Sequence, residues 1–446
     1  MALEEIREAR KKKISQILQS GEVYPSRTSR SHKINEILDN FDSFAYSGKE
    51  VTLVGRLLLF REHGGLTFGK IRDSTGEIQI ALRRDSLGDQ YSRALEWLDL
   101  GDILEFSGKL FLTKKGERTL EVKIFKMLAK TLRPLPEKWH GLHDVEERER
   151  KRYLDLLMNP DARQYAFKRS EIVANLRKKL ESEEFLEVET PILQPLPGGA
   201  RARPFTTHHN ALDVDFYLRV SPELYLKRLL VAGFEKIFEI GRNFRNEGMD
   251  HDHNPEFTML ELYWAYQDYL GLMKFVEDFL RDFLPGPWET VTFTEILKKV
   301  AGKDYRELDP DELDQVFKKE VRPKIIKPTY VIDYPESVMP LAKLKKDNIE
   351  LTESFQLIVK GSEIVKGFSE LNDPLVQRKQ MEEQEKAFRS GNEESSRMDE
   401  DFIEALEYGM PPAAGLGLGI DRLVMLLTGA PSLKEIILFP TLRPKK

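Results

Sequence analysis

Cysteine is absent from all 446 residues, so neither a disulfide nor a thiolate metal site contributes to this protein. No apolar run approaches the roughly eighteen residues of a membrane span. The opening residues, Met1-Ala2-Leu3-Glu4-Glu5, are charged and lack the apolar stretch of a secretory signal. Together these absences lead us to expect a cytoplasmic protein. The eight histidines never adopt a His-Glu-x-x-His spacing, and no Gly-x4-Gly-Lys-Ser/Thr loop occurs, so zincin and P-loop chemistry are both excluded. An excess of positive charge is missing too: the formal net charge is −6, which argues against coating nucleic acid through bulk charge. Local basic grooves remain open to it.

What is present is a soluble composition, 40% hydrophobic and 32% charged, on a chain too long for one ordinary core. Two or three domains are expected. Residues 1–45 read as a helical extension, with an amphipathic helix at 3–20 ended by Gly21 and Tyr24-Pro25. Its basic run, Arg10-Lys11-Lys12-Lys13, is either a solvated helix face or a nucleic-acid backbone contact. From 46 to 133 short β-rich runs, such as 51–60 and 78–82, alternate with turn signals at Gly64-Gly65 and Ser74-Thr75-Gly76. That pattern predicts a small OB-fold β-barrel. A charge-dense linker at 134–150 follows. Residues 151–446 then mix long helices, at about 165–182 and 376–389, with strands of a large antiparallel sheet at 236–246, 256–266 and 354–371. The expected fold class is therefore α+β, with a short charged insertion at 287–327.

Alternation places one chemistry on one face of these strands. Phe257, Met259, Glu261 and Tyr263 share a face, as do Lys366, Phe368 and Glu370, while Arg245 and Glu247 repeat the pattern. Rings interleaved with charges suit a binding floor better than a solvated face. Gly415-Leu416-Gly417-Leu418-Gly419-Ile420-Asp421-Arg422 fails as a dinucleotide fingerprint, because Ile420 stands where glycine is needed. The glycines instead permit close approach to a ligand, with Arg422 opening a helix and presenting its fork to phosphate. His251-Asp252-His253 reads as a metal pair or, preferentially, as a solvated or phosphate-facing pair.

Long motifs then carry a resemblance over about residues 5–443. Phe185 to Pro191, Phe244 to Glu247 with His253 to Thr258, and Gly415 to Arg422 with Ile437 to Pro440 resemble motifs 1, 2 and 3 of class II aminoacyl-tRNA synthetases. Pro197 to Ala200, His208 to Asp213, Pro222 to Arg228 and Phe368 to Pro374 resemble the lysyl-tRNA synthetases within that class. The resemblance implies a catalytic domain at 151–446 with an antiparallel sheet flanked by helices. It implies ATP and Mg2+, lysine and tRNA(Lys) as partners, and a homodimer closed through motif 1. It further implies that Arg245 meets the α-phosphate, that Arg422 and His253 meet the γ-phosphate, and that Phe257 and Glu247 hold adenine. Glu223, Glu370 and Tyr263 are expected to hold the ε-amino group, with Phe368 along the butyl stem. Gly199 and Glu261 are expected at the α-amino group and Lys366 near the α-carboxylate. The charge requirement agrees: a compact ammonium calls for acceptors, and an aspartate pocket would need a cation there. In the barrel, Arg61, Phe68 and Gln79 match anticodon-binding positions, which suits stacking and edge-reading of unpaired bases.

Several positions depart from the family's pattern. Glu184 replaces the motif 1 glycine, Asp252 stands where arginine is common, and Lys366 replaces an asparagine. Gln356 replaces one of two acidic metal positions, leaving Glu363 as the firm metal candidate and Gln356 as a weak one. A protein-lysylating ligase and a catalytically inactive tRNA-binding paralogue remain as alternatives. The barrel opposes the first, and the presence of Arg245, Glu247, His253 and Arg422 opposes the second.

Overall fold

The computed structural model describes residues 3–20, 24–136, 142, 144–339, 341–392 and 397–445. The Gly21 stop, and residues 137–141 and 143 of the expected linker, lie outside them. Two compact units, Met1–Gly141 and Leu142–Lys446, make up the chain.

In the first unit, β1 (Val51–His63), β2 (Leu66–Arg72), β3 (Glu77–Arg83), β4 (Ile103–Leu112) and β5 (Arg118–Ala129) close into a barrel in the order β1-β2-β3-β5-β4. Alternation builds it. On β2, Thr67, Gly69 and Ile71 are buried while Phe68 and Lys70 are half-exposed. The interior is filled by Leu53, Leu57, Ile71, Ile80, Leu104, Phe106, Leu120 and Val122. Burying each such side chain contributes about 1.5–3 kcal/mol. The basic run on helix Leu3–Ser20 is partly structural: Arg10 donates to the carbonyls of Thr131 (3.1 Å) and Arg133 (3.2 Å), and Lys13 pairs with Asp99 at 3.0 Å. That takes two of its four cations away from any phosphate.

The second unit continues with β6 (Leu186–Glu187), β7 (Leu193–Gln194), β8 (Phe205–His209), β9 (Val214–Leu218), β10 (Lys236–Phe244) and β11 (Glu256–Ala265). It ends with β12 (Glu289–Thr292), β13 (Thr329–Ile332), β14 (Ser354–Val359), β15 (Ser362–Ser369) and β16 (Ala413–Gly419). Eight of these form one sheet, β12-β13-β14-β15-β16-β11-β10-β6, antiparallel except where β12 meets β13 and β10 meets β6. Helix Pro160–Ser182 lays Ile172, Leu176 and Leu180 on one face of it, together with helices Tyr269–Leu280 and Ile420–Thr428. Asn159 caps the first of these helices, accepting from the Asp161 amide, and proline occupies its first turn. The α+β class thus stands.

One expectation needs correction. The strand expected at 354–371 is a hairpin, β14 and β15, because Lys360 (φ 49°) and Gly361 (φ 77°) both turn left-handed, as a two-residue loop requires. Without an Asn-Gly or Asp-Gly pair, the turn was hidden inside an apolar run. The region 287–327, expected as a small insertion, is folded onto the sheet. It supplies edge strand β12 and a hydrophobic cluster of Phe293, Leu297, Phe317, Val321 and Ile325 against Val331, Tyr334 and Ile358. Glu184, in place of the motif 1 glycine, sits at φ 65°, a conformation costing a side-chain-bearing residue about 1–2 kcal/mol.

Candidate active site

Strand register assembles the site row by row. Gln356, Lys366, Gly417, Glu261 and Glu239 lie side by side across β14, β15, β16, β11 and β10. The next row runs Ser354, Phe368, Gly415, Tyr263 and Ile237. The glycines of β16 therefore form a trough between flanking walls of rings and charges. A Cβ on Gly415 would stand 2.2 Å from Glu370 Oε1 and 2.6 Å from the Tyr263 ring; one on Gly417 would stand 2.7 Å from Met259 Cε. Above the trough lies a cavity of about 850 Å³, within the range of small-ligand sites.

Its deep end is acidic. Glu223 opens helix Glu223–Val231, and Lys227 one turn later donates to Glu223 Oε1 at 2.6 Å. The same ammonium lies 2.6 Å from Glu370 Oε2 and 5.7 Å from the Phe368 ring centroid. Ser221 and Tyr263 donate to the two oxygens of Glu261, at 2.9 and 3.2 Å. Gly199, at φ 85°, stands nearest Glu223 and Ser221, and Gly415 stands nearest Glu370 and Tyr263. Glu223 thus lies next to Gly199 as well as sharing Lys227 with Glu370, and Tyr263 reaches Glu261 as well as lying beside Gly415. All these polar side chains are buried. Burial, reinforced by Glu223, pushes the Glu261 carboxyl up to about 8, and burial pushes Glu370 up to about 8 despite Lys227. Burial opposes the Lys227 charge, but Glu223 and Glu370 prevail and hold it above its ordinary value. Glu223 and Glu370 thus share one ammonium, and among the described residues Glu370 Oε1 has no hydrogen-bond partner.

The opposite end is basic. Arg245, on the segment after β10, places its guanidinium carbon 5.0 Å from the Phe257 ring centroid, and its buried Nε has no partner among the described residues. Burial lowers its pKa, Glu247 and Glu261 oppose that shift, and the group stays charged. Arg422, in the first turn of helix Ile420–Thr428, donates from Nη1 to the Glu363 carbonyl at 3.3 Å, with its Nη2 3.3 Å from His253 Nε2. His253 Nδ1 is engaged by Asp250 at 2.9 Å, which leaves Nε2 as the acceptor toward Arg422. Glu247 is exposed at the rim. His251 turns instead to Asp252 at 2.8 Å, and the described residues contain no group of three His, Asp or Glu fit for a metal. The metal reading of the His251-His253 pair therefore falls.

Gln356 Oε1 accepts from the Tyr334 hydroxyl at 3.0 Å, which occupies one of its two lone pairs. Sequence reading missed Lys227, Ser221, Lys318 and Arg322. Only Lys227 carried a local signal, since it lies four residues after Glu223 on one helix face.

On the barrel, Arg61 pairs directly with Phe68 across β1 and β2, and Gln79 pairs with Lys70 across β2 and β3. Phe68 and Lys70 project from the same side of β2. Phe68 is half-exposed and not part of the barrel core. Gln79 Nε2 donates to Thr119 Oγ1 at 2.9 Å, which leaves its carbonyl free to read a base edge.

The family described as tRNA synthetases class II (D, K and N) matches residues 144–443, and that described as an OB-fold nucleic acid binding domain matches 51–128. A lysine–tRNA ligase of Carboxydothermus hydrogenoformans is 46% identical, over 99% of this chain and 99% of its own length. The enzyme of that name from Pelotomaculum thermopropionicum is 46% identical over 100% and 96%, and that from Moorella thermoacetica 45% over 98% and 97%. With an acidic pocket at one end of a class II sheet, arginines at the other and an OB-fold barrel before it, the chain belongs to the lysine–tRNA ligase family of class II tRNA synthetases.

Proposed function

We propose that this protein activates L-lysine with ATP and transfers it to the 3′-terminal ribose of tRNA(Lys). One observation carries the choice of lysine. The deep pocket holds three buried carboxylates, Glu223, Glu261 and Glu370, with Lys227 paired to only two of them, and lysine brings two ammonium groups to this acidic end. Glu370 and the Tyr263 hydroxyl, beside Gly415, meet the ε-ammonium, with Phe368 along the stem. Glu223, Gly199 and Glu261 meet the α-ammonium, which directs the carboxylate toward Lys366 and Arg245. An oxygen of that carboxylate attacks the α-phosphorus, the bond to the bridging oxygen breaks, and pyrophosphate leaves with its electron pair. Lysyl-adenylate then passes its acyl group to the tRNA hydroxyl, releasing AMP. Arg245 neutralises charge on the α-phosphate, Arg422 and His253 on the γ-phosphate, while Phe257 and Glu247 position adenine. These groups act by placement and charge, not as nucleophiles. Glu363 would hold a Mg2+ brought by ATP, and that ion would supply further neutralisation of phosphate charge. A cytoplasmic location follows from the substrates. The test is ATP–pyrophosphate exchange with each of twenty amino acids. Lysine alone should support robust exchange, and equal turnover with arginine or ornithine would refute the assignment.

The acidic pocket also fixes a pH dependence. Glu261 and Glu370 bind protons below about pH 8 in the ligand-free pocket, far above the ordinary carboxylate value of 4.5. Lysine binding requires them ionised, so it expels protons. Lysine affinity should therefore rise from pH 6 to 8, by up to about tenfold per unit for each proton released. Calorimetry in buffers of different ionisation enthalpy measures that release directly; a pH-independent affinity would contradict it.

For the barrel, Arg61, Phe68 and Gln79 form the anticodon platform. Phe68→Ala should raise the Michaelis constant for tRNA by about 5- to 150-fold, the loss of about 1–3 kcal/mol for a stacked base, while leaving exchange unchanged. Equal damage to both reactions would make Phe68 a folding residue.

A homodimer covers the edge at β6. Leu186 on β6 is 50% exposed, and Ile192 and Leu193 at the neighbouring edge strand β7 are 44% and 48% exposed, a liability on uncovered edge strands. Light scattering at micromolar concentration should give twice the monomer mass, and a monomer would remove this proposal.

A further inference from the structure

The wall of the pocket beyond Lys366 is lined by donors. Gln356 stands directly across from Lys366 on the paired strands. Lys318 and Arg322, from the wide helical turn after helix Pro310–Val316, enter the same corner beside Tyr334 and Glu363. The Gln356 carbonyl accepts from the Tyr334 hydroxyl, and its amide N–H groups can donate to a ligand. Lys366 makes no ion pair within 4.0 Å among the described residues, although Glu363 and Arg245 are near it. The buried Nε of Arg322 is likewise without a partner among them. Lys318 pairs with Asp314 at 2.7 Å, but both side chains are about half-exposed, so that pair is weak. Glu363 itself lies 3.9 Å from Arg422. Lys366, Arg322 and Lys318 thus face Glu363 and Asp314 here, and neither Lys366 nor Arg322 has an ion pair within 4.0 Å among the described residues, although Glu363 and Glu223 act on Lys366 from further away. A divalent cation here would have Glu363 as its one carboxylate and would face an ammonium and a guanidinium. An anion would find several convergent donors instead.

We propose that Lys366, Arg322, Lys318 and the Gln356 amide form a metal-free pyrophosphate subsite, which holds the β-phosphate of ATP, adds to the γ-phosphate contacts of Arg422 and His253, and then holds the released pyrophosphate. The subsite rests on the ATP-dependent reading above and assigns to fixed protein charge part of the neutralisation otherwise carried by a second metal ion. The planar fork of Arg322 spans two phosphate oxygens, whereas the two lysines act as point charges. Lys366 bridges the two ends of the site. It stands one strand away from the Gly417 trough where the lysine carboxylate arrives, so it is placed at the junction of attacking and leaving groups.

The test is calorimetric titration of the full chain with inorganic pyrophosphate in excess EDTA. The wild type should bind, more weakly at high salt. Lys366→Asn and Arg322→Gln should each weaken binding by about tenfold, as expected for losing one hydrogen bond between charged groups. Lys318→Gln changes a half-exposed side chain that the fold does not need, and it should weaken binding severalfold even if the buried variants misfold. Gln356→Glu should bind pyrophosphate poorly in EDTA and recover on adding Mg2+. Absence of metal-free binding in the wild type, or one affinity for wild type and all folded variants, overturns the subsite. Lysine-induced thermal stabilisation, read on the same samples, separates the two readings. Pyrophosphate binding without a response to lysine overturns the substrate assignment and keeps the subsite, and the converse does the reverse.

Discussion

Glu223→Gln is expected to lower kcat/KM for lysine in the exchange reaction by roughly 30-fold to several thousandfold, with the KM for ATP nearly unchanged. The magnitude comes from breaking a buried charge pair, about 2–5 kcal/mol, at about 1.36 kcal/mol per tenfold. Glu223 acts twice. It offers an oxygen to the incoming α-ammonium, and it accepts from Lys227 at 2.6 Å, sharing that cation with Glu370. Glutamine keeps the shape but removes the charge, so Lys227 turns wholly to Glu370 and neutralises the carboxylate meant for the ε-ammonium. Both ends of the substrate therefore lose attraction through one substitution. The loss should be largest at high pH, where wild-type Glu261 and Glu370 are ionised and the pocket is at its most negative. Wild-type lysine affinity in this variant would mean that the acidic pocket is not the amino-acid site.

Arg245→Lys is expected to reduce kcat for adenylate formation by about 10²–10³, the cost of removing one preorganised donor from a developing charge. The KM for lysine should change little. The positive charge is conserved, so the experiment isolates geometry. Arg245 Nε is buried without a partner among the described residues, and the guanidinium is packed beside Phe257 at 5.0 Å. That is a fork fixed before ATP arrives. A lysine there supplies a point charge on a flexible stem and cannot span two phosphate oxygens. If the variant loses ATP binding and turnover in equal measure, Arg245 merely attracts the nucleotide and does not favour the transition state.

Much of the site was legible in the sequence because period-two alternation is a local property. Phe257, Glu261 and Tyr263, or Lys366 and Phe368, must share a face whatever the rest of the chain does. The motif 3 glycines were legible as places of close approach for the same local reason. Barrel strands, the amphipathic helices and the α+β class also follow from patterns a few residues long. The hairpin at Lys360-Gly361 did not, since its turn lacks the usual Asn-Gly signal and lies between two apolar strands. Tertiary structure alone decided which carboxylate meets which partner. Lys227 reaches Glu370 across 143 positions of sequence, and Tyr334 takes the Gln356 oxygen from another strand. Lys318 and Arg322 read as ordinary surface charges until β12 and its helices dock on the sheet and turn them into the pocket. The sequence by itself determined the residue types and their faces, because backbone geometry repeats every two or 3.6 residues. Charge balance was settled by the fold, because Coulomb interactions and desolvation depend on distance in space and on burial, neither of which is a local property of the chain.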